Sequence, residues 1–155
     1  MTNHVTLQIK EFLESMNLNF KIMEHEPTPT SQIAAKVRGT SESQGAKALV
    51  LRSRGNFLMC VLPGNLKVDL AKVRRLIGEK SLSMATPEEV EKVTGCKIGG
   101  VPPFGNLFNI PIYLEKNILR NEEIAFNAGT QTISMIMKTE DYLKAVKPII
   151  EEFAM

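Results

Sequence analysis

Cysteine and histidine are scarce in this 155-residue chain, which has two residues of each type and no tryptophan. Cys60 and Cys96 form no C-x-x-C pair, and neither lies at a metal-ligand spacing from His4 or His25. The pattern argues against a disulfide-stapled fold and predicts a reduced, cytoplasmic protein without a metal or other cofactor. We expect neither cysteine to be catalytic, since Cys60 lies in an apolar segment typical of a buried strand.

Long hydrophobic runs and targeting features are also missing. The longest apolar runs, such as residues 57–62, are far shorter than the roughly 20 residues that a membrane-spanning helix requires. The chain does not open with a positively charged leader followed by an apolar run. We therefore expect no membrane partner.

Common nucleotide-binding and hydrolase motifs are absent as well. The chain has no G-x-x-x-x-G-K-[ST], no G-x-G-x-x-G and no G-x-S-x-G, which argues against phosphate-loop, dinucleotide-binding and α/β-hydrolase functions. A net charge of +2 is too small to predict a nucleic-acid coat. One segment nevertheless concentrates positive charge, either as a solvated helix face or as contacts to a few phosphates at an RNA end: Lys67, Lys72, Arg74, Arg75 and Lys80.

The composition and periodicity are those of an ordinary globular domain. With 43% hydrophobic and 23% charged residues, we expect a single domain over residues 1–155. Apolar spacing and capping signals predict helices over residues 5–16, from Thr30 or Ser31 to Gly39, from Asp69 to Gly78, and from Thr86 to Gly95. A last helix, capped by Thr139 and kinked at Pro148, is expected to face inward through Leu143, Val146, Ile149, Ile150 and Phe153.

Alternating apolar residues predict strands over residues 19–24, 46–53, 57–62, 81–84, 107–115, 123–128 and 131–137. Turn residues at 54–56 and 129–130 predict two hairpins, and Pro111 indicates an edge strand or a bulge. Adjacent hairpins mixed with helical crossovers indicate an α/β fold, in which helices pack outside a mixed sheet rather than a doubly wound parallel one. The spacing leaves open whether this sheet curls into a barrel.

The segment from Gly95 to Gly105 reads Gly-Cys-Lys-Ile-Gly-Gly-Val-Pro-Pro-Phe-Gly, which is too rich in helix and strand breakers to be either element. Glycines allow close backbone approach, and the two prolines stiffen the chain. The segment therefore fits a loop that presents backbone N–H groups to a small polar ligand. A surface turn is the other interpretation of the same residues.

Lys47 and His25 are the side chains whose positions suggest chemistry. Strand geometry places Lys47 on the same side as Leu49 and Leu51, so its ammonium must reach a polar cavity, a carboxylate, or water near a strand end. Histidine is the residue type that most often serves as a general base, so His25 is a candidate, but a loop histidine without a visible partner is also typical of an exposed surface.

Four stretches together resemble the YbaK family, the editing domains associated with prolyl-tRNA synthetase. They are His25 with Thr30-Ser31 and Ala34-Ala35, residues 45–51 around Lys47, the loop from Gly95 to Gly105, and residues 126–130. The resemblance runs over nearly the whole chain, and the order and spacing of the four stretches together make it specific. The resemblance implies a mixed α/β barrel-like fold with helices outside a strongly curved sheet.

The resemblance further implies a freestanding deacylase that hydrolyses mischarged aminoacyl-tRNA, with a small amino acid on tRNA-Pro as the expected substrate. Partners would be the acceptor end of the tRNA and prolyl-tRNA synthetase. Lys47 would place the 3′-terminal adenosine, and the loop backbone at Gly99, Gly100 and Val101 would hold the aminoacyl group. Substrate-binding residues implied in the same way are His25, Thr30, Pro102, Pro103, Phe104, Gly105, Asn127, Ala128, Gly129 and Thr130.

Glu115 departs from the family pattern, because many relatives have aspartate at this strand position. The glutamate either orients a neighbouring loop or contacts the substrate. The absence of a catalytic triad is compatible with deacylation, since an aminoacyl ester is already activated and a pocket that positions water can hydrolyse it. A non-catalytic module of the same fold, binding a tRNA 3′ end or a nucleotide, is the alternative.

Overall fold

The computed structural model describes residues 3–155, which form five α-helices and eight strands. The helices are α1 (His4–Ser15), α2 (Ser31–Arg38), α3 (Leu70–Ile77), α4 (Pro87–Thr94) and α5 (Thr139–Val146). The strands are β1 (Lys21–Glu24), β2 (Ala46–Ser53), β3 (Asn56–Pro63), β4 (Ser83–Met84), β5 (Ile112–Glu115), β6 (Glu123–Asn127), β7 (Ile133–Lys138) and β8 (Ile149–Glu151). Short 3₁₀ turns occupy Glu42–Gln44, Gly105–Phe108 and Lys116–Arg120.

The strands divide into two sheets. The smaller sheet has the order β1-β7-β6 and is antiparallel, whereas the larger has the order β4-β2-β3-β5-β8 and is mixed, because β5 runs parallel to both β3 and β8. A parallel bridge between Gly45 and Ala125 connects the sheets where β2 begins. The mixed α/β class expected from the sequence is confirmed, with the strands in two linked sheets.

The larger sheet is covered on both faces, as the alternation along β2 and β3 requires. Val50 and Val61 belong to the main core, while Leu51 and Cys60 belong to a second cluster beneath α3. In the main core the Phe104 ring makes edge-to-face contacts with three other aromatic rings, at centroid distances of 5.3 to 6.2 Å: Phe12, Phe126 and Tyr142. Such pairs stabilise a core beyond the burial of their area.

Capping residues in the sequence predicted several helix ends correctly. Thr86 and Glu89 form the expected capping box, with the Glu89 N–H donating to Thr86 Oγ1 at 3.2 Å and the Thr86 N–H donating to Glu89 Oε1 at 2.9 Å. Asp69 likewise accepts from the first turn of α3, and Gly95 ends α4 with a φ of 74°. No helix within residues 3–155 is long and apolar enough to cross a membrane.

The last predicted helix is wrong in both its start and its end. Lys138, not Thr139, is the N-cap, and the Thr139 hydroxyl donates instead to the Asn121 carbonyl at 2.6 Å. The helix ends at Val146, because Lys147 adopts a left-handed conformation immediately before Pro148, which has no N–H to continue the helical ladder. Residues 149–151 then add strand β8 beside β5.

This change of element also changes which residues face inward. Ile149 and Ile150 are 48% and 42% exposed, so the expected inward face does not extend to them. Phe153 is buried, but in the second cluster beneath α3. The spacing of the apolar residues is typical of a helix, although residues 149–151 form a strand at the edge of the larger sheet.

The strand expected over residues 107–115 is shorter and more central than predicted. Residues 105–108 form a 3₁₀ turn, Asn109 has a φ of 59°, and β5 begins only at Ile112. The strand lies between β3 and β8, so the edge position inferred from Pro111 is wrong. Pro111 precedes β5, where its carbonyl accepts from the Met59 N–H at 2.8 Å and its missing N–H costs no ladder bond.

Candidate active site

A cavity of about 220 Å³ lies where α2, the first half of β2 and the glycine-proline loop meet. Small side chains make much of its wall, which leaves the space open. Polar groups enter it from three separate segments of the chain. The lining includes Thr28, Thr30, Ser31, Ala34, Ala35, Arg38, Lys47, Ala48, Gly64, Gly99, Val101 and Asn127.

Lys47 is one of the two cations in this lining. Its ammonium donates to the Gly64 carbonyl at 3.3 Å, so one of its three donor positions is used and the contact is long. Burial lowers the pKa of Lys47, the carboxylate of Glu42 opposes that shift, and the positive charge of Lys67 adds to it. Of the three environments open from the sequence, the polar cavity is the one observed.

The first half of the glycine-proline loop borders the cavity through Gly99 and Val101. Gly99 has a φ of 88°, and a Cβ atom at Gly100 would lie 2.9 Å from the backbone Cα of Thr130. The Gly100 carbonyl accepts from the Gly129 N–H at 2.9 Å, which fixes this close approach. Within residues 3–155, the N–H groups of Gly99 and Val101 donate to no backbone carbonyl, so the fold leaves both donors unused.

The second half of the loop anchors it in the core. Pro102, Pro103, Phe104 and Gly105 are buried and lie outside the cavity lining. The Tyr142 hydroxyl donates to the Pro103 carbonyl at 2.6 Å, while the Phe104 ring fills the aromatic core. Of the loop residues that the resemblance implies for substrate binding, the structure therefore places these four against protein rather than in the cavity wall.

The stretch from residue 126 to residue 130 supports the loop from the other side. Asn127 lines the cavity, and its side-chain amide donates to the Gly99 carbonyl at 2.5 Å. The Ala128 carbonyl accepts from the Thr6 hydroxyl, and Gly129 packs on Gly100. Of the residues implied here by the resemblance, Asn127 reaches the cavity, whereas Ala128, Gly129 and Thr130 do not line it.

His25 lies outside the cavity lining, in an open recess that it shares with Thr130. Its Nδ1 contacts the Glu26 carbonyl at 2.8 Å and must therefore donate, and its Nε2 lies 2.7 Å from the Ser134 hydroxyl. The histidine thus has polar partners, but its ring does not line the cavity as a general base for a bound ester would. Thr30, by contrast, both caps α2 and lines the cavity.

Sequence reasoning missed several polar groups of the site, above all Arg38. This arginine ends α2, borders the cavity, and donates to Ser134 and Asn127. Thr28, also in the lining, is buried and donates to the Gln131 carbonyl at 3.0 Å. A basic residue in the last turn of a helix usually only complements the helix dipole, so Arg38 carried no distinguishing signal in the sequence.

Glu115 is fully buried and does not line the cavity. Its Oε1 accepts from the backbone N–H groups of Phe153 and Ala154 at 2.9 and 3.0 Å, and its Oε2 accepts two further bonds from Asn117. Burial alone would raise the pKa of Glu115, but these hydrogen bonds outweigh it and lower the pKa. The carboxylate therefore orients the neighbouring chain, which is the first of the two roles considered for it.

Both cysteines are buried and lie outside the cavity lining. Burial raises the pKa of Cys60 to about 12. Burial also raises the pKa of Cys96 to about 11, although a hydrogen bond with Thr94 opposes that shift. Because the thiolate is the nucleophilic form, neither side chain is activated at neutral pH.

Comparison with known proteins identifies the family of the chain. Residues 25–145 match the model of the aminoacyl-tRNA editing domain. The chain is 35% identical over 150 residues to the multifunctional Ser/Thr-tRNA deacylase ProXp-y of Escherichia coli, covering 91% of this chain and 87% of the relative. It is 26% identical to the prolyl-tRNA editing protein ProX of Acetoanaerobium sticklandii, over 87% of this chain and 86% of that protein.

The fold has a solved counterpart as well. A crystal structure of a candidate trans-editing enzyme for prolyl-tRNA synthetase superposes with a TM-score of 0.89 at 28% identity, covering 100% of this chain and 99% of that one. The resemblance inferred from four short stretches of sequence is thereby confirmed. The chain belongs to the aminoacyl-tRNA editing domain family.

Proposed function

We propose that this protein acts in trans as an aminoacyl-tRNA deacylase whose reaction takes place in the cavity between α2, β2 and the glycine-proline loop. The observation that carries the proposal is the convergence of Lys47 with Gly99 and Val101 on that cavity, although they lie about fifty positions apart in the chain. Membership of the editing family supplies the reaction class, hydrolysis of the ester that joins an amino acid to a mischarged tRNA.

The volume of the cavity restricts the part of the substrate that can enter. At about 220 Å³ it is smaller than most ligand pockets, which span roughly 300 to 1,000 Å³. It would therefore hold an aminoacyl group and part of the ribose, while most of the terminal adenosine lies outside. Alanines line the wall, and Thr30 and Ser31 offer hydroxyl groups, so a small amino acid fits best.

The residues can assist hydrolysis without a protein nucleophile. The free N–H groups of Gly99 and Val101 can donate to the ester carbonyl as its oxygen gains negative charge, in the manner of an oxyanion hole. The unused donors of Lys47 can hold a ribose or phosphate oxygen of the 3′ end. Water held near the carbonyl then attacks an ester whose position is fixed.

We propose a small amino acid on tRNA-Pro as the first substrate to test, with serine and threonine esters next. The tRNA-Pro assignment follows the family relationship, in which one relative bears the name of a prolyl-tRNA editing protein. The hydroxyl amino acids follow from the polar lining and from the E. coli relative, which is named a Ser/Thr-tRNA deacylase. Under this proposal the protein works in the cytoplasm beside prolyl-tRNA synthetase.

A panel of charged tRNAs tests the proposal. The purified protein is incubated with alanine, serine, threonine and proline esters of tRNA-Pro and with the cognate esters of alanine, serine and threonine tRNAs. We expect at least one mischarged species to be hydrolysed well above the spontaneous rate, and prolyl-tRNA-Pro to be spared. Binding of the tRNA without hydrolysis of any ester would favour the non-catalytic module instead.

A further inference from the structure

Arg38 is a cation in the cavity wall that has no carboxylate to balance it. It ends helix α2 and is partly buried, and this burial lowers its pKa to about 10, so it remains charged at neutral pH. Among the described residues 3–155, the ion pairs involve other side chains, and none reaches Arg38. Burying a guanidinium without an opposite charge costs free energy unless hydrogen bonds satisfy its donors.

The guanidinium instead bonds two neutral side chains of the smaller sheet. Its Nε donates to Ser134 Oγ on β7, and its Nη2 donates to Asn127 Oδ1 at the end of β6, both at 2.8 Å. Because arginine can only donate, the second bond fixes which end of the Asn127 amide faces α2. The oxygen must face Arg38, and the NH₂ group must face away from it.

The orientation of the Asn127 amide determines what holds the glycine loop. The NH₂ group donates to the Gly99 carbonyl at 2.5 Å, and that carbonyl belongs to the peptide that joins Gly99 to Gly100. The Gly100 N–H donates to the Lys97 carbonyl at 2.9 Å, so the same peptide is held at both its polar groups. The plane of this peptide sets the direction of the chain as it enters Val101.

We propose that Arg38 is a positioning residue of the editing site, acting through the Asn127 amide to hold the Gly99–Gly100 peptide and hence the free N–H groups of the loop. This inference rests on the proposed deacylase function for its kinetic consequence, but not for its structural one. Lysine could not replace Arg38, since a single ammonium does not present the fork that reaches Ser134 and Asn127 together.

A double-mutant cycle tests whether Arg38 acts through Asn127. Single-turnover deacylation is measured for Arg38→Met, Asn127→Ala and the double variant. The exposed Arg120, changed to methionine, controls for the loss of one arginine charge. We expect each single change to slow the chemical step by about 10- to 100-fold with little change in the half-saturating tRNA concentration, because the loop is misplaced. The double variant should be no slower than the slower single variant.

Multiplying effects in that cycle would overturn the inference, because they would mean that Arg38 contacts the substrate by itself. Arg38→Lys serves as a second variant in case Arg38→Met folds poorly. It should recover little of the rate, although it retains the charge. Full recovery by lysine would equally contradict a role that depends on the fork.

A measurement without substrate separates this inference from the proposed function. In ¹⁵N-labelled protein, Arg38→Met should shift the resonances of the Asn127 side-chain amide and of the Gly100 and Val101 backbone amides, whereas Arg120→Met should leave them in place. If no charged tRNA is hydrolysed but these shifts occur, the deacylase proposal fails and the positioning stands. Unshifted loop amides in folded Arg38→Met and Arg38→Lys proteins would overturn the positioning role.

Discussion

Lys47 and Glu115 are two charged groups that the fold removes at least partly from water, and they differ in how far hydrogen bonds satisfy them. The Lys47 ammonium has one hydrogen bond, at 3.3 Å, to a backbone carbonyl. The Glu115 carboxylate has four, between 2.7 and 3.0 Å. The pKa of both groups is lowered, which disfavours the charged lysine but favours the charged glutamate.

The difference in hydrogen bonding indicates that the Glu115 carboxylate stabilises the fold, whereas the Lys47 ammonium can bind a ligand. A saturated carboxylate has no capacity left for substrate, and two of the four bonds at Glu115 join β5 to the C-terminal residues. An ammonium with two unused donors, by contrast, can still bond a ligand that enters the cavity. Changes at the two residues should therefore affect different properties, activity for Lys47 and stability for Glu115.

The largest effect is expected from Lys47→Ala. Removing the ammonium should slow deacylation by about a hundredfold or more, equivalent to about 2.7 kcal/mol in activation free energy, because the 3′ end is no longer positioned. The fold should remain intact, since the side chain contributes one weak hydrogen bond. Rates and circular dichroism are measured on the same preparations, with exposed Lys92→Ala as the matched control. An unchanged rate in a well-folded variant would place Lys47 outside the reaction.

Glu115→Gln should give the converse result. A neutral amide presents an NH₂ group where one carboxylate oxygen now accepts two bonds, so at least one buried donor loses its partner. We expect a loss of about 2 kcal/mol in the free energy of unfolding at pH 7, measured by urea denaturation. Deacylation per folded molecule should stay near the wild-type value. A large loss of activity in folded protein would mean that Glu115 does contact the substrate.

The pH dependence of stability sharpens the same contrast. The folded-state pKa of Glu115 lies below its ordinary value of 4.5, so its stabilisation is complete above that pH and is lost as the pH falls through the folded value. The stability difference between wild type and Glu115→Gln should therefore be constant from pH 7 to about pH 5 and shrink under more acidic conditions. Urea unfolding at a series of pH values checks this. A stability difference that widens on acidification would contradict the lowered pKa of Glu115.

The smallest effect is expected from Cys60→Ala, a change at a buried group that is neither charged nor near the cavity. Cys60 is fully buried in the cluster beneath α3, so losing the sulfur should cost about 1 kcal/mol of stability. The rate of deacylation should not change. Thermal unfolding measures the stability, and the charged-tRNA assay measures the rate. A large loss of rate in folded Cys60→Ala protein would mean that the thiol takes part in catalysis.

Local signals determined what the sequence could predict. The capping box at Thr86 and the hairpin of β2 and β3 depend on residues close together in the chain, and both are present. The C-terminal segment failed because apolar spacing cannot distinguish a continued helix from a helix followed by an outer strand. Pro148 marked the break, but its consequence, pairing of β8 with β5, depends on residues about 36 positions away.

The site could be predicted in part for the same reason. Lys47 was recognisable because a lysine among leucines is unusual, and the glycine-proline loop because of its composition. Arg38 and Ser134 carry no such pattern, and only the packing of α2 against the smaller sheet brings them together. Pro103 and Phe104 share the loop sequence with Gly99, yet burial against Tyr142 takes them away from the cavity.

Ligand-induced stabilisation tests the central contrast most directly. A 3′-aminoacylamino adenosine, in which an amide replaces the labile ester, is added at a fixed concentration to wild type, Lys47→Ala and Glu115→Gln, and each unfolding transition is measured. A ligand bound only by the folded state stabilises it by about 2.7 kcal/mol at one hundred times its dissociation constant. We predict the same gain in wild type and Glu115→Gln and little or none in Lys47→Ala. An equal gain in Lys47→Ala, or its loss in Glu115→Gln, would contradict the assignment of these two charges.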